Sequence, residues 1–510
     1  MRRDRAESVP EEEREALVRI AHGAVVTSAG VSGQRVLTTA VEVVLARGLG
    51  PAAYGVYALA WRIAQLLATL VTFGSVPTLQ RYLPAYRDDP DRRAVVAGLA
   101  YATTVTFGLL MAAGIWVAAP WLDDLTVGRP SFVSTMRVFG ALVGLLGVVT
   151  VGAAIFRAVG AARGEVTFNK LLRPAARLVG AVAALWAGYS VVGVAGGILV
   201  CTGVLAVAVV PLAARTTGIT PTFRGARGEA RRFFDHAAPV AMSSLGSIFQ
   251  NRIDVLLVGA LLSAAAAGVY NAVLVLVTVA WIPLLSFNQL LPPVASDLHA
   301  DGRVETLDAV YSSVTRLIVT TVVPILAVLL VYGRALLAVF GPTFTQGYVP
   351  LVVYLGGVFV GSAVGATGWL LMMTDHQYAR MALDWLLAAL NVGLTYAFVL
   401  RFGLAGAALG TSLAIAIQNW IQVLLLRRFE GLWPFDRSFL TPVAAGTVAL
   451  AGMWAVRLVV PGLAAVPVGV LAGLVLYVAV LDVLGVDPRD RLVIRELADR
   501  YASGLRPGRL

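Results

Sequence analysis

Cysteine occurs once in 510 residues, at Cys201, and lysine once, at Lys170. A single cysteine excludes an intrachain disulfide. The lone lysine follows Asn169, not glycine, so the chain lacks the G-x-x-x-x-G-K-[ST] loop with which it could itself burn ATP. Four histidines, His22, His236, His299 and His376, lie far apart, so no metal site of usual spacing and no cofactor is expected. Charged residues are scarce as well, at 14% against about 25% in a soluble globular protein. Hydrophobic residues make up 58%, Gly adds 51 residues, and the mean hydropathy is +0.81. Such a chain cannot cover itself with polar groups and needs lipid as its solvent. That excludes a soluble enzyme, a disordered protein and a nucleic-acid reader, despite a net charge of +11.

What is present is a series of apolar runs. A spanning helix needs ~20 mostly apolar residues. Fourteen segments meet this: 22–46, 53–75, 94–119, 132–156, 171–188, 191–213, 236–261, 266–291, 309–333, 348–372, 379–399, 404–426, 440–456 and 463–484. The breaks between them are polar or turn-forming, as at Gly48 to Pro51, Asp123 to Pro130 and Thr216 to Arg232. Basic residues test the map, because they concentrate in cytoplasmic loops. On the side of the N-terminus the loops and tails carry 28 Lys and Arg; the other side carries five, Arg47, Arg129, Arg334, Arg401 and Arg457. Both termini are therefore expected in the cytoplasm. Met1 to Arg19 mixes arginines with Glu11, Glu12, Glu13 and Glu15 and has no apolar core of its own, so it reads as a surface helix and not as a cleaved signal. Trp116, Trp121, Trp186 and Tyr189 fall at the outer ends, where amphipathic rings belong. No loop exceeds about 30 residues, which leaves no room for a soluble catalytic domain.

The spans repeat. Ala53-Tyr54-Gly55-Val56-Tyr57 opens the second and Ala266-Ala267-Gly268-Val269-Tyr270 the eighth, a shift of 213; Gly193-Val194-Ala195-Gly196 and Gly403-Leu404-Ala405-Gly406 open the sixth and twelfth, a shift of 210. A shift of six spans keeps one orientation, the pattern of parallel repeats about an axis along the membrane normal. The expected architecture is an all-α polytopic membrane protein with 14 transmembrane helices. It comprises a cytoplasmic segment 1–21, a six-helix bundle 22–213, a cytoplasmic linker 214–235, a second six-helix bundle 236–426, helices 13 and 14 at 440–484, and a tail 485–510.

Three motifs carry a family likeness. Leu49-Gly50-Pro51-Ala52-Ala53-Tyr54-Gly55-Val56-Tyr57 resembles the "LGP-x-x-YG-x-Y" signature of polysaccharide-export flippases. Val339-Phe340-Gly341-Pro342-Thr343-Phe344 resembles their "lFG-x-x-(Y/F)" run, and Asn391 with Phe402-Gly403-Leu404-Ala405-Gly406-Ala407-Ala408 their "N … G-x-x-G-A-A" stretch. In order and spacing, over 22–484, the chain resembles the lipid-linked oligosaccharide flippases (Wzx-like) of the multidrug/oligosaccharidyl-lipid/polysaccharide exporter superfamily. The resemblance implies a cargo of sugar on a polyprenyl phosphate or diphosphate.

Ionisable groups inside spans tend to face a cavity or a partner. Seven arginines lie there: Arg35, Arg62, Arg137, Arg173, Arg177, Arg252 and Arg316, with the acids Glu42, Asp254, Asp384 and Asp482. Arg137, Arg173, Asp384 and Asp482 are near enough to helix ends to snorkel. In the first span Ser28, Ser32, Arg35, Thr39 and Glu42 form one polar stripe. Arg62 and Gln65 sit one turn apart, and Gln250, Asn251, Arg252 and Asp254 cluster in the seventh span. One reading is a basic cavity of Arg35, Arg62, Arg252, Asn251 and Gln250 for an anionic headgroup, since a guanidinium pairs bidentately with phosphate. The other is a pair of helix-locking ion pairs, Arg35 with Glu42 and Arg252 with Asp254. Lys170, Arg173 and Arg177, at i, i+3 and i+7, are either a positive-inside anchor or a cytoplasmic loading site for phosphate.

The expected function is a flippase, not an enzyme, in the plasma membrane, exporting a lipid-linked oligosaccharide by alternating access. Its partners would be that substrate, membrane lipids and a coupling ion (Na+ or H+) at Glu42 or Asp254, with no nucleic acid. A multidrug/cation antiporter of the same superfamily would want acids and aromatics in its cavity. A membrane glycosyltransferase or ligase would need an acidic constellation in a large outer loop, and Asp123-Asp124 in a short one does not supply it.

Overall fold

The computed structural model describes residues 10–126, 128–248, 253–460, 462–485, 487–493 and 495–496. Among them every regular element is helical. Nine helical stretches of the described residues are long and apolar enough to cross a membrane by length and composition. Two of these hold two predicted segments each. Segments 22–46 and 53–75 run together in Glu11–Val71, and 379–399 and 404–426 in Gln377–Glu430. Each of the two helices bends at a glycine, Gly50 (φ 71, ψ 169) and Gly403 (φ 58, ψ −134). Only glycine takes these angles without a steric penalty, and Pro51 removes a backbone donor at the first bend.

The remaining predicted segments fall on shorter helices. Segment 171–188 becomes Arg173–Trp186, preceded by a π-helical turn, Val166–Leu172. Segment 236–261 falls on Ala226–Ile248 and Ile253–Leu261. Segment 266–291 breaks at Trp281 into Ala264–Ala280 and Ile282–Phe287, where Pro283 starts the second helix.

The chain forms two compact units. One comprises Gln34–Ala272 and Phe340–Phe344; the other comprises Met1–Gly33, Val273–Val339 and Thr345–Leu510. They divide the chain at Gly33 and Ala272, not at the 214–235 linker expected to part the two bundles. The reason is local packing inside the first unit. A Cβ on Gly55 would lie 1.6 Å from the Ala264 carbonyl oxygen, and one on Gly268 would lie 2.4 Å from that of Pro51. The two copies of the repeated motif thus touch backbone to backbone, which holds the start of Ala264–Ala280 in this unit. The motif residue Tyr54 also meets Phe344 edge-on, with ring centroids 5.8 Å apart. Trp116, Trp121, Trp186 and Tyr189 are all exposed, as rings at a lipid–water boundary would be.

In the second unit, Leu440–Val459 and Ala465–Leu484 pack on Val304–Ala338. Tyr332 Oη donates to the Met453 carbonyl at 2.9 Å and Tyr477 Oη to that of Thr320 at 2.9 Å. Their other faces expose apolar side chains such as Leu471 and Val475.

Candidate functional site: a basic cavity and its hydrogen-bond chain

Within the first unit a cavity of about 220 Å³ is lined by Gln34, Arg35, Thr38, Trp61, Gln65, Asn169, Arg173, Arg177 and Thr202, closed by Leu146 and Pro174. Its polar groups come from both sides of the Gly50 bend, from the π turn and from two further helices. Arg173 Nη1 donates to Asn169 Oδ1 at 3.4 Å, a contact across the end of that turn.

Behind the cavity wall lies a buried network. Arg177, 6% exposed, donates from Nη2 to Glu42 Oε1 at 2.8 Å and from Nε to Tyr57 Oη at 2.7 Å. Its guanidinium also sits 4.1 Å from the centre of the Trp61 ring, a cation–π contact. Glu42 Oε2 accepts from Tyr54 Oη at 2.8 Å. Asn271 Nδ2 donates to the same Tyr54 oxygen at 2.7 Å. Arg62 completes the chain, donating to Asn271 Oδ1 at 3.1 Å and to Gln65 Oε1 at 3.3 Å. Gln65 and Arg177 both open into the cavity, so the chain leaves its wall at one residue and returns at the other.

The structure distributes the expected residues unevenly. Arg35 lines the cavity, with Thr38 beside it in place of Thr39. Arg62 stands behind the wall and reaches it through Gln65. Glu42 takes Arg177 as its ion-pair partner, not Arg35, because Arg177 arrives from a packed neighbouring helix while Arg35 is two turns away along the same one. The proposed loading trio is split. Arg173 and Arg177 both line the cavity, Arg177 being also ion-paired and almost wholly buried, and Lys170 is half-buried in the π turn without lining it. Asp254 is 2% exposed and accepts from Tyr270 Oη at 3.0 Å. Gln250, Asn251 and Arg252 lie outside the described residues. Ser28, at the foot of the stripe, pairs with Ser286 at 2.8 Å inside the other unit.

The sequence did not mark Tyr54, Tyr57, Trp61 or Asn271 as site residues. The one signal for Asn271 is that it is the only amide in the otherwise apolar helix Ala264–Ala280. A second ion cluster was also missed, in the second unit. Arg316, 1% exposed, meets Asp436, Asp487 (3.1 Å) and Asp490 (2.8 Å). Burial pushes the Asp490 carboxyl above the usual carboxylate range, and Arg316 pulls it back. Beside it, Arg489 pairs with the buried Glu13.

The described fold is shared with solved membrane transporters. A structure of the lipid II flippase MurJ, in an inward closed conformation, superposes with a TM-score of 0.74 at 12% identity, over 90% of this chain and 98% of that one. An inward-facing multidrug resistance MATE family transporter of the MOP superfamily gives 0.66 at 16% identity, over 78% and 94%. This is a multi-pass membrane protein with the fold of that superfamily. Over residues 44–350 the sequence matches the polysaccharide biosynthesis protein family, and the chain belongs to it. It is also 22% identical over 234 residues to the "probable low-salt glycan biosynthesis flippase Agl15" of Haloferax volcanii, 46% of this chain. That alignment spans about half of the relative's length, 48%.

Proposed function

We propose that the chain is a flippase that carries a polyprenyl-(di)phosphate-linked oligosaccharide across the plasma membrane by alternating access, for cell-surface polysaccharide or glycan synthesis. The observation that carries this reading is the convergence of Arg35, Arg173 and Arg177 on one small polar cavity. Guanidinium forks suit phosphate oxygens and repel the cationic cargo of a drug antiporter. The cavity is too small for an oligosaccharide, so it would take the phosphate moiety while the glycan lies elsewhere and the polyprenyl tail stays in lipid. Family membership and the flippases among the similar proteins support the same cargo class.

In this reading fourteen spans place both termini in the cytoplasm, and helices 1–6 and 7–12 form two halves related along the membrane normal. An inside-negative potential favours outward movement of each negative charge by about 2.3 kcal/mol per 100 mV. Asp254 is the better candidate for a coupling ion. Glu42 is already ion-paired with Arg177, whereas the Asp254 oxygens accept from the Val255 amide and the Tyr270 hydroxyl, both neutral donors.

The test pairs membrane abundance with transport. Arg35→Ala/Arg173→Ala should accumulate normally yet lose headgroup-dependent flipping in reconstituted vesicles. The corresponding lysine pair should recover only part of it, because an ammonium keeps the charge without the fork. Full transport by an abundant double alanine variant would refute the basic-cavity mechanism.

A further inference from the structure

Asn271 lies outside the cavity, on Ala264–Ala280, and is 2% exposed. We propose that it is a positioning residue for the anion cavity, setting the direction of the hydrogen-bond chain that holds Arg177 and Gln65 in the cavity wall. The proposal rests on the reading of that cavity as a phosphate site.

What each group can donate or accept fixes the direction of the chain. A guanidinium only donates, so Arg62 Nη2 requires the oxygen of the Asn271 amide, 3.1 Å away. The amide nitrogen is then left to face Tyr54, 2.7 Å away, and the phenol oxygen must accept there. The single phenol hydrogen is therefore given to Glu42 Oε2. Glu42 Oε1 accepts from Arg177, again a donor-only group. Each contact in the chain has one donor and one acceptor, and no link can be reversed by itself.

That property makes the chain testable by reversal. Asn271→Asp keeps the contact with Arg62 but faces Tyr54 with an acceptor, so one phenol hydrogen is shared between two carboxylates. Glu42→Gln must keep its oxygen toward Arg177, and its amide nitrogen then points at a phenol oxygen that already receives Asn271. Each single change leaves a buried mismatch. The double change Glu42→Gln/Asn271→Asp repairs both. The amide at position 42 donates to Tyr54, Tyr54 donates to the carboxylate at position 271, and Arg62 donates to that carboxylate as before. Net charge is unchanged, but the negative charge moves from beside Arg177 to beside Arg62. A cavity anion then no longer competes with Glu42 for Arg177.

The experiment uses the full-length purified chain and inorganic pyrophosphate as the probe, with thermal stability and calorimetric affinity read for the native protein, both single variants and the double. Each single variant should melt earlier, and Asn271→Asp, which keeps Glu42 beside Arg177, should bind pyrophosphate about tenfold or more weakly, the scale of losing a hydrogen bond to a charged group. The double variant should melt well above both single variants, short of the native protein by what the Glu42–Arg177 ion pair contributes, and bind pyrophosphate more tightly than the native protein. If the single variants are too unstable to purify, the double variant decides alone, and its failure to accumulate overturns the proposal. A double variant that melts above both single variants but binds no more tightly than the native protein would reduce Asn271 to a packing residue, and so would an Asn271→Asp variant with native affinity. A native protein that does not bind pyrophosphate would overturn the phosphate reading itself, and this proposal with it.

Discussion

Glu42 and Arg177, 135 residues apart in the chain, are joined by a 2.8 Å ion pair in which both side chains are almost wholly buried. The pair ties Glu11–Val71 to Arg173–Trp186 just behind the cavity that both helices line. Taking two charges out of water is costly, and the remaining polar atoms must be satisfied to offset it. Tyr54 and Tyr57 supply those bonds, and the Trp61 ring covers the guanidinium face.

Removing one partner should therefore be worse than removing both. Arg177→Met alone is expected to cost about 3–5 kcal/mol, the usual penalty for stranding a buried charge. It would be read as a lower melting temperature in detergent and lower membrane abundance. Arg177→Met/Glu42→Leu should recover part of that loss, since the Tyr54 hydroxyl is left without its acceptor, but not transport, because the cavity lacks one of its three guanidinium groups. Transport by the double variant at the native rate would show that Arg177 serves stability alone.

The contact between the repeated motifs gives a steric prediction. Gly55→Ala places a methyl 1.6 Å from a carbonyl oxygen, so two backbones must separate, and abundance should fall sharply. Gly268→Ala, at 2.4 Å, should be damaging but less so. Gly33→Ala is the control, since no atom lies within 4 Å of the added carbon. Expression levels of the three, measured side by side, check the order.

Arg316 and its acids predict a dependence on the C-terminal segment. Arg316→Ala leaves Asp436, Asp487 and Asp490 around an empty place, and like charges there repel. The segment should loosen, so trypsin should cut at Arg489 and Arg491 faster than in the native chain. Arg316→Lys should give an intermediate rate, since one ammonium cannot serve three carboxylates at fork geometry. An unchanged cleavage rate in the alanine variant would count against the cluster.

Topology can be checked by labelling. With Cys201 replaced by serine, single cysteines at Thr216 and at Thr126 should react with an impermeant reagent from opposite sides of the membrane, with Thr216 on the cytoplasmic side. Labelling from the same side would overturn the fourteen-span map.

Much of the fold was legible because its signals are local. Apolar runs gave the helices, and Gly50-Pro51 and Gly403 marked the bends. Arg62 and Gln65, one turn apart, do bond to each other. The site was legible in kind but not in its pairings. A stripe of polar residues on the first span announced a polar environment, and Arg35 does line the cavity. The partner of Glu42 was not readable, because reach along one helix says nothing about which distant helix packs against it. The same limit hid Arg316, whose acids come from segments more than a hundred residues downstream. Asn271 was overlooked since one amide in an apolar helix has no local pattern to join.

The π turn at Val166–Leu172 has a consequence for how this cavity could be tuned. Each residue of an α-helix advances the chain by about 100° around its axis, so a turn that holds an extra residue sets a phase between the helical residues on its two sides. Upstream, Glu165 pairs with Arg157. Within the turn Phe168 stacks on Phe156 while its neighbour Asn169 lines the cavity, and just downstream Arg173 lines it too. Deleting one of the two exposed residues, Val166 or Thr167, would convert the turn to ordinary helix and rotate one set of contacts out of step with the other, with no cavity side chain altered. The angular setting of the basic groups is thus stored in a residue count, where substitution scans of the cavity would not find it and a single-residue deletion would.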